Sequence, residues 1–272
     1  EGVSYKVKTT VKADQKLTIA GQDGGTTSNT ILELKMSAGK RDADGKLPLM
    51  METNILSSEI GLPMGIKIKF DSKDPDAKGE GGNEVTDLIR EKIKANAKLS
   101  TTIILGKDNQ VLEVQGIKPG SDVNPDDIKE EFAEQAKTFP NKPLKKGDTW
   151  ERDAKVNLGA GQFFTVKRKY TYEGETTKST VNSTRKVHKI TAVDSDAKFS
   201  IKEGGALPFK VTKSELKVDE SKNTILFDLE AGRSIESTST LRVSGKIGLA
   251  FNNMPIDGDL DLTMKSQVEE VN

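Results

Sequence analysis

Residues 5–12, YKVKTTVK, decide the fold class of this chain. Tyrosine, valine and threonine alternate with lysine and threonine, so one side of the segment is charged and the other is apolar or β-branched. This period of two predicts a β-strand with one buried and one solvent-exposed face. Residues 66–70 repeat the pattern, with isoleucine and phenylalanine separated by lysines.

Composition favours long antiparallel strands. The chain has 272 residues, of which 33% are hydrophobic and 31% charged, so its apolar side chains must be concentrated on one face of each element. A helix-covered parallel sheet would instead need strands that are continuous apolar runs. We therefore expect a mainly β (α+β) fold, with a long, strongly twisted antiparallel sheet or half-barrel and two amphipathic helices.

Charge and cysteine content exclude several functional classes. Lys plus Arg and Asp plus Glu both number 42, and no basic block is large enough to follow a phosphate backbone. We therefore expect no nucleic-acid partner. The absence of cysteine excludes disulfides, thiolate catalysis and cysteine-based zinc sites. Because no apolar run approaches about 18 residues, we also expect no transmembrane segment.

Strands and short turns are predicted along most of the chain. The first strand continues to Ile19, turns are expected at residues 21–25 and 42–45, and a hairpin joins residues 102–105 to 111–114. In the second half the predicted strands cover residues 163–172, 185–193, 198–202, 211–218, 224–229, 234–244 and 260–268. Polar residues at 194–196, 220–223, 231–232 and 257–258 are predicted turns. Such short connections indicate an antiparallel meander.

Two amphipathic helices carry the candidate binding residues. One helix opens at Asn83, and the other has Asn124 as its N-cap with Pro125 at the first helical position. Their predicted apolar stripes are Val85, Leu88, Ile89 and Ile93, and Ile128, Phe132, Ala136 and Phe139. These stripes either fill the core against the sheet or form a lid over a cavity that holds an apolar ligand. Core packing is the commoner use of such stripes.

Domain organisation is predicted to be a single domain over residues 1–272. Its two halves, residues 1–140 and 150–272, are candidates for pseudo-repeats. The hairpin sequence at residues 102–113 is echoed at residues 224–236, and each half contains two prolines between apolar neighbours.

Catalytic patterns are scarce. His188 is the one histidine, and no Gly-x-Ser-x-Gly elbow accompanies it. The acidic segments 71–76 and 257–261 lack the spacing of a calcium-binding EF-hand loop, and Gly79 to Gly82 lacks the ending of a phosphate-binding loop. We expect no catalytic residue, no metal and no cofactor, although an enzyme that uses carboxylates alone stays an alternative.

The chain resembles uncharacterised exported bacterial β-sheet proteins. The resemblance is carried by residues 70–75 (FDSKDP), by the passage from Phe139-Pro140 to residues 146–150 (KGDTW), and by residues 227–237. The fold is also similar to that of periplasmic lipoprotein carriers and tubular lipid-binding domains. The resemblance implies export to the periplasm or cell envelope and supplies no catalytic residues. We expect a signal peptide or a cloning boundary to account for the start at Glu1 without methionine.

These observations predict a non-catalytic exported binding protein. In the sharper version of this hypothesis, a lipid or other apolar small molecule lies between a curved sheet and the two helices. The alternative is a structural or protein-interaction component of the bacterial cell envelope, with an envelope protein as its partner.

Overall fold

Long strands dominate the fold, as the alternation predicts. The computed structural model describes residues 2–19, 21–76, 83–117, 124–136, 138–140, 142–159, 161–179, 184–202, 209–251 and 254–271. The strands are β1 (Ser4–Ile19), β2 (Gln22–Ala38), β3 (Leu47–Gly61), β4 (Lys67–Asp71), β5 (Lys98–Leu105), β6 (Val111–Gln115), β7 (Thr149–Gly159), β8 (Gln162–Ser179), β9 (Thr184–Ile201), β10 (Phe209–Asp228), β11 (Arg233–Phe251) and β12 (Met254–Val271). The helices are α1 (Glu84–Ala95) and α2 (Pro125–Ala136), and a single 3-10 turn covers Pro63–Gly65.

The strands form one 12-stranded sheet in the order β6-β5-β3-β2-β1-β12-β11-β10-β9-β8-β7, and β4 pairs with β3 beside this path. The pairings of β7 with β8, β8 with β9, β9 with β10 and β10 with β11 are all antiparallel. Within the described residues the sheet ends at β6 and β7 and is not closed into a barrel. The predicted mainly β class, with an antiparallel sheet and two helices, is therefore confirmed.

Several predicted turns are wrong. Residues 194–196, 220–223 and 257–258 lie inside β9, β10 and β12, and β2 already begins at Gln22. The strands continue because cross-strand pairing continues through these polar residues, with β-bulges absorbing the irregularities. By contrast, the predicted turns that contain residues 43–44 and 231–232 are present.

By their internal contacts, the residues form two compact units. The first unit comprises Glu1–Thr10, Asn29–Asn141 and Val268–Asn272. The second unit comprises Val11–Ser28 and Lys142–Gln267. The single domain and the pseudo-repeats at residues 1–140 and 150–272 stay predictions.

The first unit contains both helices. Their starts are those that the sequence predicts: Thr86 N donates to Asn83 Oδ1 (3.1 Å), and Asp126 N donates to Asn124 Oδ1 (2.9 Å). Each side chain thus satisfies one of the free N–H groups at a helix N-terminus. Helix α1 packs on β4 and α2 on β6. The buried apolar residues of the unit's strands include Ile68, Phe70, Ile103 and Leu105.

The second unit has a curved sheet with its own core. Phe164 of β8 and Phe199 of β9 meet edge to face with ring centroids 5.8 Å apart. They share one buried cluster with Leu260 and Leu262 of β12, although β12 is not a sheet neighbour of β8 or β9. Side chains from such distant strands can meet only if the sheet of this unit curves around them.

Candidate functional site

The predicted helix stripes lie partly at the surface. Leu88 is 61% exposed and Phe139 is 36% exposed. Phe139 does not belong to the stripe of α2, because the helix ends at Ala136 and Phe139 follows in a bend. Four members are half-buried, namely Ile89, Ile93, Ile128 and Phe132. The side chains of Val85 and Ala136 lie outside the described residues. Ligand binding by these stripes stays a prediction.

A cavity of about 380 Å³ lies within the second unit. Its wall is formed by strands β1 and β7 to β12, and none of its lining residues belongs to α1 or α2. The apolar lining residues are Val11, Val156, Tyr170, Ala192, Ile225, Leu241 and Met264. The polar lining residues are Lys155, Asn157, Arg168, Asn223, Ser234, Ser237, Thr238, Ser239 and Ser266.

The cavity follows from small side chains in two neighbouring cross-strand rows. In one row Tyr170 of β8 is opposite Ala192 of β9, and Asn223 of β10 is opposite Ser239 of β11. Two positions further along these strands, Ser237 of β11 is opposite an isoleucine of β10. Alanine and serine fill less space than the apolar side chains of the core, so volume is left between the rows.

A buried ion pair crosses the wall of this cavity. Arg168 Nε donates to Asp194 Oδ1 (2.5 Å), and Arg168 Nη2 donates to Asp194 Oδ2 (3.0 Å). The side chain of Asp194 is fully buried, whereas that of Arg168 is 20% exposed. The pair is therefore bidentate, which fixes the plane of the guanidinium as well as its position.

The environment of Arg168 keeps the guanidinium charged. Burial acts to lower the pKa of Arg168, but the hydrogen bond and negative charge of Asp194, together with the interaction with Tyr170, outweigh it, so the pKa of Arg168 is raised. The positive charge in the cavity wall is thereby retained and is compensated by its own carboxylate.

Asn223 extends the ion pair into a hydrogen-bonded network. Its Nδ2 donates to the carbonyl oxygen of Ala192 (3.2 Å) and to Asp194 Oδ2 (3.3 Å). Its Oδ1 accepts a hydrogen bond from Ser239 Oγ (2.6 Å). Ser221 Oγ accepts from the backbone N–H of Asp194 (2.8 Å). The buried polar groups are thus satisfied, as a stable buried network requires.

Aromatic residues border the network. Trp150 stacks on Tyr170 with ring centroids 5.1 Å apart. Two residues further along β8, the Tyr172 hydroxyl is hydrogen-bonded to His188 Nδ1 (2.5 Å), and the two rings stack. Burial, together with the negative charge of Glu175, raises the pKa of Tyr172.

Chemistry at the site is limited by these pairings. Among the described residues, no group of three or more His, Asp or Glu is placed to hold a metal ion. Asp194 accepts hydrogen bonds from the lining residue Arg168 through both of its carboxylate oxygens. The wall offers a molecule inside it apolar surface, serine and threonine hydroxyls, the amide of Asn157 and the exposed ammonium of Lys155.

No helix in the described part of the chain has the length and apolar character that a membrane crossing needs.

Sequence reasoning missed the polar network. Asp194 and Asn223 fall in predicted turns, and Arg168 was not distinguished from other charged strand residues. The alternation in β8 could have identified Arg168, because it falls on the apolar face of the strand. Residues 164, 166, 168 and 170 are Phe, Val, Arg and Tyr. A charged residue in register with an apolar face indicates a buried partner.

Comparisons with known proteins give distant similarities. No protein-family model and no curated protein sequence matches the chain. A DUF1329 family protein from Desulfovibrio piger is 8% identical, with 96% of this chain and 84% of that chain covered and a TM-score of 0.15. OccAB4 from Acinetobacter baumannii is 10% identical, with coverages of 100% and 99% and a TM-score of 0.24. The transport unit of the autotransporter AIDA-I from Escherichia coli is 7% identical, with coverages of 100% and 91% and a TM-score of 0.20. Similarities at this level assign neither a family nor a function.

Proposed function

We propose that this protein is a non-catalytic binding protein that holds an apolar small molecule in the cavity of the second unit. The observation that carries the proposal is a cavity of about 380 Å³, partly open to solvent, that is lined by seven apolar and nine polar residues and bordered by an oriented polar network. Small-molecule sites are typically concave, roughly 300–1,000 Å³ in volume and mainly apolar, with a few fixed polar groups.

A binding role suits the site better than catalysis. General acid–base or nucleophilic catalysis needs a titratable group that can reach a substrate. No aspartate, glutamate or histidine is among the described lining residues, Arg168 is paired with Asp194, and the ammonium of the lining Lys155 lies over the Phe163 ring. The lining residues thus include hydroxyl groups but no carboxylate or imidazole that could act as their general base. The site therefore supplies shape and hydrogen bonds.

A fluorescent apolar probe tests the proposal. We expect uncharged N-phenyl-1-naphthylamine to bind the purified protein with increased emission, because the cavity removes the probe from water. Ser237→Phe should abolish this signal by filling the cavity. Leu88→Gln, in the exposed stripe of α1, is the matched control and should leave binding unchanged. Circular dichroism confirms that both variants fold.

The opposite pattern would overturn the proposal. If Leu88→Gln removes probe binding while Ser237→Phe retains it, the ligand lies against the helices, as the sequence hypothesis has it. Native mass spectrometry adds an independent measurement, since a bound lipid or other apolar molecule that co-purifies appears as an added mass. Ser237→Phe should then remove that mass.

Location in the cell envelope is part of the proposal. It is supported by the sequence resemblance to exported bacterial β-sheet proteins, and a cysteine-free chain is compatible with an oxidising compartment. Fractionation of bacterial cells that express the complete gene product tests it, and recovery in the cytosolic fraction would contradict it.

A protein-interaction role is the second candidate, and strand β7 favours it. In the described sheet order β7 is an end strand, and end strands have N–H and C=O groups that can pair with another chain. Asp153 is exposed on β7. A photoreactive amino acid at position 153 should form adducts with an envelope protein in cells if this role is correct. The absence of adducts would contradict it.

A further inference from the structure

We infer that the cavity selects an uncharged ligand that carries a hydroxyl group, and that Ser239 accepts the hydrogen bond from that hydroxyl. The inference rests on the proposed function and specifies its ligand class. Three observations support it: the charge balance of the wall, the direction of the hydrogen bond made by Ser239, and the apolar character of the remaining surface.

Charge balance disfavours an ionised ligand. The guanidinium of Arg168 already faces both oxygens of Asp194, so its charge is compensated within the wall. Lys155 is exposed, and its ammonium lies 4.8 Å from the centre of the Phe163 ring. A carboxylate or ammonium in the cavity would therefore lose its hydration without gaining a dedicated buried counter-ion, which is costly.

Hydrogen-bond direction at Ser239 is fixed by the network. Asn223 Nδ2 donates to the carbonyl oxygen of Ala192 and to Asp194, so the other end of the amide must be its oxygen. Ser239 Oγ uses its one hydrogen to donate to that oxygen at 2.6 Å. Only the lone pairs of Ser239 Oγ remain for a molecule in the cavity, and these require a donor such as a ligand O–H.

The rest of the wall suits a hydrocarbon. Val156, Leu241 and Met264 line the cavity and belong to or pack against the main apolar cluster of the unit. Each buried methylene contributes roughly 0.8 kcal/mol in transfer from water. An aliphatic alcohol places its chain on this surface and its hydroxyl at Ser239, so this class satisfies both parts of the wall.

A ligand series on the unaltered protein tests the inference. 1-Decanol, its methyl ether and decanoate share one chain length, while the ether lacks the donor hydrogen and decanoate is charged. By isothermal titration calorimetry we expect decanol to bind about three- to tenfold more tightly than the ether, the value of one hydrogen bond. Decanoate should bind at least about tenfold more weakly than decanol, because its charge must be desolvated.

Variants assign the preference to Ser239. Ser239→Ala should bring the affinities of decanol and the ether together. Ser244→Ala is the matched control on the same strand, because Ser244 donates to Asp219 in an exposed pair outside the cavity, and it should keep the preference. The ligand series itself does not depend on the folding of any variant.

The outcomes separate the two levels of the proposal. Equal binding of decanol and its ether, or tight binding of decanoate that Lys155→Gln abolishes, overturns the ligand class and leaves the binding function intact. If none of the three ligands and no naphthylamine probe binds, both the ligand class and the proposed function are overturned. Retention of the decanol preference in Ser239→Ala overturns the assignment to Ser239.

Discussion

Trp150 lies parallel to Tyr170, with ring centroids 5.1 Å apart and an angle of 5° between the ring planes. Trp150 is the one tryptophan of the chain, and Tyr170 lines the cavity while being only 3% exposed. Tryptophan fluorescence therefore reports directly on the wall of the proposed site, without an added label.

Removing the Tyr170 ring should destabilise the second unit. We expect Tyr170→Ala to lower the free energy of unfolding by about 3–5 kcal/mol, as for other large aromatic truncations in a core. The near-UV circular dichroism of Trp150 should weaken as well, because its stacking partner is lost. Tyr170→Phe keeps the ring and should retain the near-UV signal, with a smaller loss in the free energy of unfolding because the hydrogen bond between Tyr170 and Arg168 is removed. Full near-UV signal in Tyr170→Ala would show that the stack does not order Trp150.

The buried Arg168–Asp194 pair should respond differently to single and double substitution. Asp194→Leu leaves the largely buried guanidinium without its carboxylate. It should lower the free energy of unfolding, measured in urea, by about 3–5 kcal/mol. Arg168→Met combined with Asp194→Leu removes both charges. The free energy of unfolding of this double variant should be within about 1 kcal/mol of that of the unaltered protein, or higher. An equal loss in the single and double variants would contradict this account.

An exposed pair of the same geometry is the control. Arg242 donates to Asp261 through two nitrogens at 3.2 and 2.8 Å, but both side chains are more than 40% exposed. Asp261→Leu should lower the free energy of unfolding far less than Asp194→Leu does, because water replaces the lost partner of Arg242. Burial, and not bidentate geometry, is then the source of the difference.

Gly245 should not tolerate a side chain. Its φ is +141°, and a Cβ atom built there would lie 2.2 Å from the carbonyl oxygen of Glu215 on the paired strand. Gly245→Ala should cost at least about 2 kcal/mol, because strained backbone and a steric clash act together. Gly24→Ala is the control, since its Cβ would meet only ordinary contact at 3.6 Å. Thermal unfolding measures both, and similar melting temperatures would contradict the prediction.

Asp219 should titrate abnormally because of Ser244. The hydrogen bond from Ser244 Oγ (2.6 Å), followed by the pairing with Lys217, lowers the pKa of Asp219. Because the folded pKa is lower than the unfolded one, the stabilisation is present above pH about 4 and is lost as pH falls through the folded pKa. Ser244→Ala should raise the Asp219 pKa in a carbon-detected NMR titration.

Asp23 serves as the internal reference for that titration. The pKa of Asp23 is lowered by hydrogen bonds from Lys16 and Thr18, and Ser244 takes no part in these interactions. The Asp23 pKa should be the same in both proteins. A shift of both carboxyl groups would indicate a general change of the fold.

Local sequence predicted the starts of the helices better than the ends of the strands. Asn83 and Asn124 cap α1 and α2 through contacts two or three residues away, so their role is readable from neighbours in the chain. The exposed Leu88 shows the limit of this approach, because periodicity indicates an apolar stripe without indicating what covers it. That depends on which strands lie beneath the helix.

Asp194 and Asn223 show why the candidate site could not be predicted. Aspartate and asparagine are common in turns because their side chains form hydrogen bonds with the nearby backbone. A prediction from sequence therefore assigns them to turns first. Here their partners are 26 and 16 residues away along the chain, at Arg168 and Ser239. Only the register of four paired strands brings these residues together.

The sequence by itself determined the β class, the antiparallel connections and the two capped helices, because alternation, short turns and capping are properties of adjacent residues. Tertiary structure alone decided that the strands run through the predicted turns, and that Ala192, Ser237 and Ser239 leave a cavity beside the Arg168–Asp194 pair. The reason is physical: a cavity and a buried ion pair depend on which side chains meet across strands, and that follows from sheet register and curvature.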